Sequence, residues 1–331
     1  MVKIDDSDAS IKIAIIGLGN IGARYDLPNP KLNLTHASVI SSDSRFILVG
    51  GSDQNVAFRK DFEKVYRTPS FESISDLMNV VSPDAVVVAT RTESHIENLI
   101  ELGDYPNVKF ILCEKPIAGG TNGLTDVLSR ASLHGQKIVV NYQRRTESAS
   151  KEIRKLISEK EFGSFLGGTG HYSGGYFNNG SHMLDLLEWW LGSEFGAINL
   201  VEVSSYLDDY RVSFVSKIGN ANFFLNSMNS STTSFFEICL QFEFCQLRYC
   251  SGGSQVFIDK IVKNLDYPDF SSIQVSAEPE YFESKQSLSS VYEEIYSGMF
   301  GGNMNLPAAS SALHLIERMR SFISEIGESS C

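Results

Sequence analysis

Short apolar runs rich in β-branched residues recur through the first half of the chain, at Ile11–Ile16 and at residues 46–50, 84–89, 108–113 and 137–140. Apolar residues at consecutive positions suit a strand buried on both faces of a parallel sheet. Between these runs lie stretches with helical spacing. Residues 55–66 place Val56, Phe62 and Val65 on one side, and residues 94–102 and 122–134 behave likewise, the last stopping at Gly135 as helices often do. Strands alternating with helices predict an α/β fold built on a doubly wound parallel sheet.

Beyond Arg145 the texture changes. One helical stretch at Ser148–Ser158 precedes glycine-rich turns and a helix over residues 182–191. Period-two runs follow at 201–206, 211–216, 222–227, 234–239 and 243–250, the pattern of an antiparallel sheet with one face covered. An amphipathic helix over residues 308–326 closes the chain, residues 230–234 read as a serine- and threonine-rich turn, and no internal repeat or low-complexity segment occurs. Two domains are expected: residues 1–145, and residues 146–331 as an α+β domain with an open, mostly antiparallel sheet whose final helix can pack back on the first domain.

Composition agrees with this division, since 331 residues with 42% apolar content can fill two cores of the usual domain size. Acidic residues outnumber basic ones 40 to 28, for a formal charge of -12, and such a field repels a phosphate backbone. Nucleic acid is therefore not an expected partner. No apolar stretch is long enough for a membrane span, and the polar, acidic first ten residues do not read as a signal sequence, so a cytoplasmic protein is expected. The five cysteines, Cys113, Cys239, Cys245, Cys250 and Cys331, form no CxxC pair; free thiols and no metal site are expected.

The first apolar run leads directly into Gly17-Leu-Gly19-Asn20-Ile21-Gly22. A GxGxxG pattern has meaning in this context, after a strand and opening a helix. Gly17 permits the tight turn, Gly19 lets the backbone approach a pyrophosphate, and Gly22 lets helix and strand pack closely, while the helix start offers unpaired amides to the anion. Asp53 follows the second run, where its carboxylate can accept hydrogen bonds from ribose hydroxyls and repel a 2'-phosphate. NAD is the expected cofactor, with NADP the other option. Asp53 lies further from the glycines than usual because residues 26–34 contain Pro28 and Pro30 and cannot continue a helix; Ser52 beside it could also face a phosphate.

The fourth run ends in Glu114-Lys115-Pro116, which puts a lysine at the carboxyl end of a parallel strand, where ligands of open α/β sheets bind. Oxidising an alcohol requires a group that accepts the hydroxyl proton and a cation that stabilises the developing alkoxide. Lys115 can do either, with Glu114 orienting it and Pro116 fixing the turn, a cis bond being one way to do so. A second group of residues lies at Phe177-Asn178-Asn179-Gly180-Ser181-His182 with Asp185 three positions on. On a helix that spacing puts His182 and Asp185 on one face, so the carboxylate could hold the imidazole tautomer.

Taken in order, the glycine turn, Asp84-Ala-Val-Val-Val-Ala-Thr90, His95, Glu114-Lys-Pro116, Asn141-Tyr-Gln-Arg-Arg145, Gly180-Ser-His182 and Asp185-Leu-Leu-Glu-Trp-Trp resemble the glucose-fructose oxidoreductase and inositol dehydrogenase (Gfo/Idh/MocA) family over nearly the whole chain. The resemblance implies a Rossmann domain followed by an α/β domain with an open antiparallel sheet. It implies catalytic roles for Lys115 and His182. The expected cofactor side is formed by Gly17, Gly19, Asn20, Ile21, Gly22, Asp53, Thr90, His95 and Glu114, and the expected substrate side by Lys115, Arg144, Tyr176, Asn178, His182 and Asp185. Two positions depart from the family pattern. Arg91 follows Thr90 where a proline is common, and Asn178 stands where many members carry an aspartate; an amide cannot act as a base.

Of the remaining polar residues, Tyr142, Arg144 and Arg145 could hold a substrate phosphate, carboxylate or hydroxyl, with Arg144 chosen for the pocket and the other arginine for an ion pair. His171 and Tyr172 divide between a sugar site and strand packing, while His36, His134 and His314 read as structural or solvated. The aromatic run from Phe223 to Tyr249 lacks interleaved lysine and arginine, so it suits sheet packing or a dimer face rather than base stacking; a homodimer or homotetramer is expected. The expected function is NAD(P)-dependent hydride transfer at a hydroxyl carbon of a sugar, polyol or nucleotide-sugar. Two other readings stay open: an NAD-dependent glycosidase working by transient oxidation, and a non-catalytic dinucleotide-sensing regulator.

Overall fold

Six parallel strands, β1 (Ile11–Ile16), β2 (Phe46–Ser52), β3 (Ser70–Phe71), β4 (Ala85–Val88), β5 (Phe110–Cys113) and β6 (Lys137–Val140), form one sheet in the order β3-β2-β1-β4-β5-β6. The computed structural model describes residues 10–27, 29–117, 123–230, 232–282 and 288–329. The chain divides into two units, Met1–Gln143 with Ser287–His314, and Arg144–Gln286 with Leu315–Cys331. β4 and β5 are buried at every position and β1 at all but Lys12, which is why these runs read as continuously apolar. The strand order reverses direction between β1 and β4, and that reversal opens a crevice at the carboxyl ends of the strands.

Around this sheet lie α1 (His36–Ser42), α2 (Val56–Tyr66), α3 (Ile74–Val80), α4 (His95–Leu102) and α5 (Leu124–His134). The glycine turn opens not into a long helix but into one wide turn, Asn20–Arg24; Pro30 then starts a short 3-10 turn, and α1 begins only after Thr35, whose side chain caps it. The expected interruption is therefore present, with Pro28 outside the described residues, as are Asn122, Cys331 and residues 1–9. The first unit also takes in residues 287–314, which the sequence reading assigned to the second domain. Leu288, Val291, Tyr292, Ile295 and Leu306 belong to one apolar cluster with β1, β4 and β5, so burial, not chain order, decides their unit.

In the second unit α6 (Ser148–Ser158) precedes β7 (Phe165–Tyr172), α7 (Ser181–Leu191) and the strands β8 (Phe195–Tyr206), β9 (Asp209–Ile218), β10 (Ala221–Ser227), β11 (Phe236–Phe242), β12 (Cys245–Cys250), β13 (Gln255–Lys263), β14 (Ser271–Gln274) and β15 (Tyr281–Phe282). The sheet order is β14-β13-β12-β11-β7-β10-β9-β8 with β15 beside β13, antiparallel throughout except for the parallel pair β7 and β10. Along β10 and β11 buried positions alternate with more exposed ones, the signature of one covered face. A Cβ on Gly170 would stand 2.5 Å from the sulfur of Met183, so a glycine in β7 is what lets α7 approach the sheet. Trp190 Nε1 donates to Ser150 O at 3.0 Å and joins α7 to α6.

Two further helices, α8 (Ser289–Met299) and α9 (Ala309–Ser329), follow; the division between units falls within α9. Phe322 of α9 packs against Phe214, and Arg318 pairs with Glu188 at 2.6 Å, both inside the second unit. Cys113, Cys239, Cys245 and Cys250 are free thiols. No helix among the described residues is long and apolar enough to cross a membrane.

Candidate functional site

A cleft of about 930 Å³ opens at the carboxyl ends of β1, β2 and β4, bordered by Gly17, Gly19, Asn20, Ile21, Asp53 and Thr90. The glycines divide the labour as the motif requires. Gly17 has φ +93°, and a Cβ there would stand 2.6 Å from the carbonyl of Ala89. A Cβ on Gly22, which does not border the cleft, would lie 2.0 Å from the carbonyl oxygen of Gly17, whereas one on Gly19 would meet nothing within 4 Å. Gly22 is thus needed by the fold, and Gly19 leaves a surface open to a ligand. The amides of Asn20, Ile21 and Gly22 make no hydrogen bond among the described residues, because the turn's first carbonyls serve Ala23, Arg24 and Tyr25. An open glycine edge and free amides on one short turn suit a pyrophosphate.

Asp53 stands at the end of β2, on the rim of the cleft. Its carboxylate accepts the N–H of Leu18 at 2.8 Å through Oδ2 and that of Asn55 at 2.8 Å through Oδ1, so it anchors the glycine turn while bordering the space for a ribose. Ser52 and Arg91 line the same cleft, and Thr90 accepts a hydrogen bond from Asn98 at 2.8 Å. Asn98, Tyr25 and Phe58 also border it; sequence reasoning did not single them out, since their periodicity marks helix and loop without marking ligand contact.

His95 does not border the cleft. It is buried, with Nδ1 at 3.0 Å from the carbonyl of Pro116 and Nε2 at 3.1 Å from that of Thr90. Burial holds its pKa below the usual histidine value, against the pull of those two carbonyls; a neutral ring donates to one of them at a time. Its place is a clasp between the loops after β4 and β5. Glu114 is also buried, and its Oε1 accepts from Asn141 Nδ2 at 2.6 Å and from His36 Nε2 at 3.0 Å. Burial pushes the Glu114 carboxyl up, but the bonds from His36 and Asn141 and the charge of Lys115 outweigh it, leaving it below the ordinary glutamate value. Lys115 follows, half-buried, at the carboxyl end of β5, and the Lys115–Pro116 peptide is cis.

In the second unit His182 is buried in the first turn of α7. Asp185 does not serve it: the carboxylate binds Arg145 in a fork, at 2.7 and 2.8 Å. Burial pushes the Asp185 carboxyl up to about 6 even against that guanidinium. Arg144, chosen from sequence for the pocket, instead donates to the Gly252 carbonyl and to Tyr249 Oη at 3.2 Å, with its guanidinium 3.8 Å from the centre of the Phe236 ring. The two arginines thus both have internal partners that lie 40 to 108 residues away in sequence, too remote for spacing to reveal. Tyr176 is fully buried, its ring tilted against Phe177 at 5.4 Å. Asn178 is exposed, and its backbone N–H donates to Asp209 Oδ2 at 3.1 Å.

Asp209 was missed by the sequence reading. It also accepts the N–H of Phe177 at 3.1 Å, and a Cβ on Gly175 would stand 1.9 Å from its Oδ2. The loop before His182 is therefore set by an aspartate on β9, and only the glycine at 175 hinted at such a close neighbour.

Residues 11–142 match the profile of an oxidoreductase family described by its NAD-binding Rossmann fold. Glucose-6-phosphate 3-dehydrogenase of Bacillus subtilis is 27% identical over 47% of this chain and 40% of its own length. The chain spans about two-fifths of the length of the curated relatives it matches. In three dimensions the likeness extends further: the WlbA dehydrogenase of Bordetella pertussis, solved with NADH and UDP-GlcNAcA, has a TM-score of 0.74 at 17% identity and 97% coverage of both chains. A super-repressor mutant of Gal80p from Saccharomyces cerevisiae reaches 0.77 at 15% identity, again over 97% of each chain. At such identities the structures share the fold alone. With the glycine turn, the cleft and the strand order 3-2-1-4-5-6 in place, residues 11–142 are similar to the NAD-binding Rossmann domain of the Gfo/Idh/MocA oxidoreductase family.

Proposed function

We propose that the chain is an NAD-dependent dehydrogenase or reductase acting on a hydroxyl-bearing carbon of a sugar, polyol or nucleotide-linked sugar. The observation that carries this reading is Lys115, held at the carboxyl end of β5 in the same unit as the glycine turn and its cleft. A strand end fixes the backbone of the lysine, and the buried Glu114 beside it fixes the local charge. Such a lysine can take the hydroxyl proton, or stabilise the alkoxide by its charge. Bound NAD would supply the hydride acceptor. The amides of Asn20 and Ile21 would hold its pyrophosphate, and Asp53 its adenosine ribose, which favours NAD over a cofactor with a 2'-phosphate. His182 is the proposed second proton carrier. The relatives named for glucose 6-phosphate and crystallised with UDP-GlcNAcA support a carbohydrate substrate.

A screen of sugars, inositols, sugar acids and nucleotide sugars, read by NADH absorbance at saturating NAD, tests the reading. It predicts at least one substrate whose turnover falls by ~100-fold or more in Lys115→Ala while NAD affinity stays within about threefold, well under the ~1.4 kcal/mol of a tenfold change. Sugar release without NADH accumulation would indicate the glycosidase chemistry instead. NAD binding with no turnover of any kind would indicate a sensor that keeps only the fold.

A further inference from the structure

We infer that His36 and Tyr292, with Asn141, are positioning residues: a buried relay that fixes Glu114 beside Lys115 and through it holds Lys115 as an ammonium. The significance of the relay rests on the proposed role of Lys115, although its existence does not. The chain of contacts is short and wholly inside the first unit. Tyr292 Oη lies 2.8 Å from His36 Nδ1, His36 Nε2 lies 3.0 Å from Glu114 Oε1, and Asn141 Nδ2 donates to the same oxygen at 2.6 Å. An ionised carboxylate only accepts, so His36 must carry hydrogen on Nε2; a neutral ring then accepts the Tyr292 hydroxyl at Nδ1. His36 and Tyr292 have no exposed surface and come from α1 and α8.

Apolar side chains would fill that space at lower cost, because each buried polar group needs a partner. What the polar set adds is a fixed negative charge next to Lys115. Both donors converge on Oε1, so the carboxyl group cannot rotate without losing both. The titratable groups that face Glu114 are His36 from α1, Lys115 and Cys113 along its own strand end, and His95 from α4, with Tyr292 of α8 behind His36. Burial pushes Cys113 and Tyr292 up and His95 down, so these three stay neutral around pH 7 and add no charge beside Glu114.

The test measures Lys115 itself, without substrate. In the full chain, the rate at which a trace amine-acetylating reagent labels Lys115 is followed against pH by peptide mass spectrometry. Glu114→Gln is expected to move the Lys115 titration down by about one unit, the effect of losing a nearby opposite charge, and His36→Leu, which leaves the charge but frees the carboxyl group to rotate, to move it down by about half a unit, a partial loss of the same effect. His36→Gln, which keeps a donor toward Glu114 and an acceptor for Tyr292, is expected to stay within about 0.3 unit of the parent protein, a small part of that opposite-charge effect. Should His36→Leu fail to fold, Asn141→Ala removes the other donor and is read in the same way. Identical Lys115 profiles in the parent protein, Glu114→Gln and whichever donor variant folds would overturn the relay. A shifted profile together with turnover that survives Lys115→Ala would keep the relay and remove the catalytic reading; an unmoved profile with Lys115-dependent turnover would do the reverse.

Discussion

Asp53 and Leu18 are joined by a 2.8 Å hydrogen bond from the Leu18 N–H to the Asp53 carboxylate, so the residue expected to meet the cofactor ribose also holds the glycine turn. One oxygen faces the turn and the other receives Asn55, which sets the carboxylate in one orientation before any ligand arrives. Asp53→Ala should therefore weaken NAD binding by roughly 10–100-fold, the range for hydrogen bonds to a charged group. The loss for NADP should be smaller, because a repelling charge goes as well. Calorimetric titration with both dinucleotides measures the difference.

The last two glycines of the motif should fail in different ways. Gly22→Ala drives a methyl into the Gly17 carbonyl oxygen, 2.0 Å away, so the backbone must shift and the melting temperature should fall by several degrees, as for a loss of ~1–3 kcal/mol. Gly19→Val adds atoms where none stand within 4 Å, and should leave melting nearly unchanged while reducing NAD affinity at least tenfold through steric exclusion.

The buried Arg145–Asp185 pair predicts a pH-dependent stability. Burial raises the Asp185 carboxyl from 3.8 to about 6, and the forked contact with Arg145 lowers it without cancelling that rise. The folded state thus holds this proton more tightly than the unfolded chain. The stabilising contribution is complete below about pH 4 and disappears as pH rises through 6, amounting to roughly 3 kcal/mol. Asp185→Asn should remove that slope between pH 4 and 6 in urea melts, and Arg145→Leu should destabilise the protein at pH 7 by about 3–5 kcal/mol, because it leaves a buried carboxylate alone.

Asp209 gives a test of the loop ahead of His182. Asp209→Ala removes the acceptor of two loop amides, from Phe177 and Asn178, and should lower stability by about 1–3 kcal/mol. Proteolytic cleavage in residues 173–180 should accelerate while cofactor affinity stays unchanged, a split that limited proteolysis and NAD titration together resolve.

Much of this architecture is legible from local pattern. β1, β4 and β5 announce themselves because a strand buried on both faces tolerates few polar residues, and the glycine turn does so because its backbone excludes side chains at Gly17 and Gly22. Elements without a strong local period were not legible. α1 and α3 have seven residues each, too few turns for an apolar stripe, and β7 contains Gly167, Gly168 and Gly170, residues that weaken strand character but are needed where Met183 and Leu240 come close. The partners of Arg144, Asp185 and Glu114 were hidden for another reason. Charge complementarity is long-range in sequence, and His36 meets Glu114 across 78 positions, so a histidine that reads as structural turns out to touch the carboxylate beside Lys115.

Titration of the full chain with NAD, followed by calorimetry in parent protein and in Gly19→Val, tests the central claim most directly. A single site per chain, weakened at least tenfold by the substitution, is the result expected of a dinucleotide lying over the glycine turn. Absence of binding by both NAD and NADP, or binding that Gly19→Val leaves untouched, would contradict it.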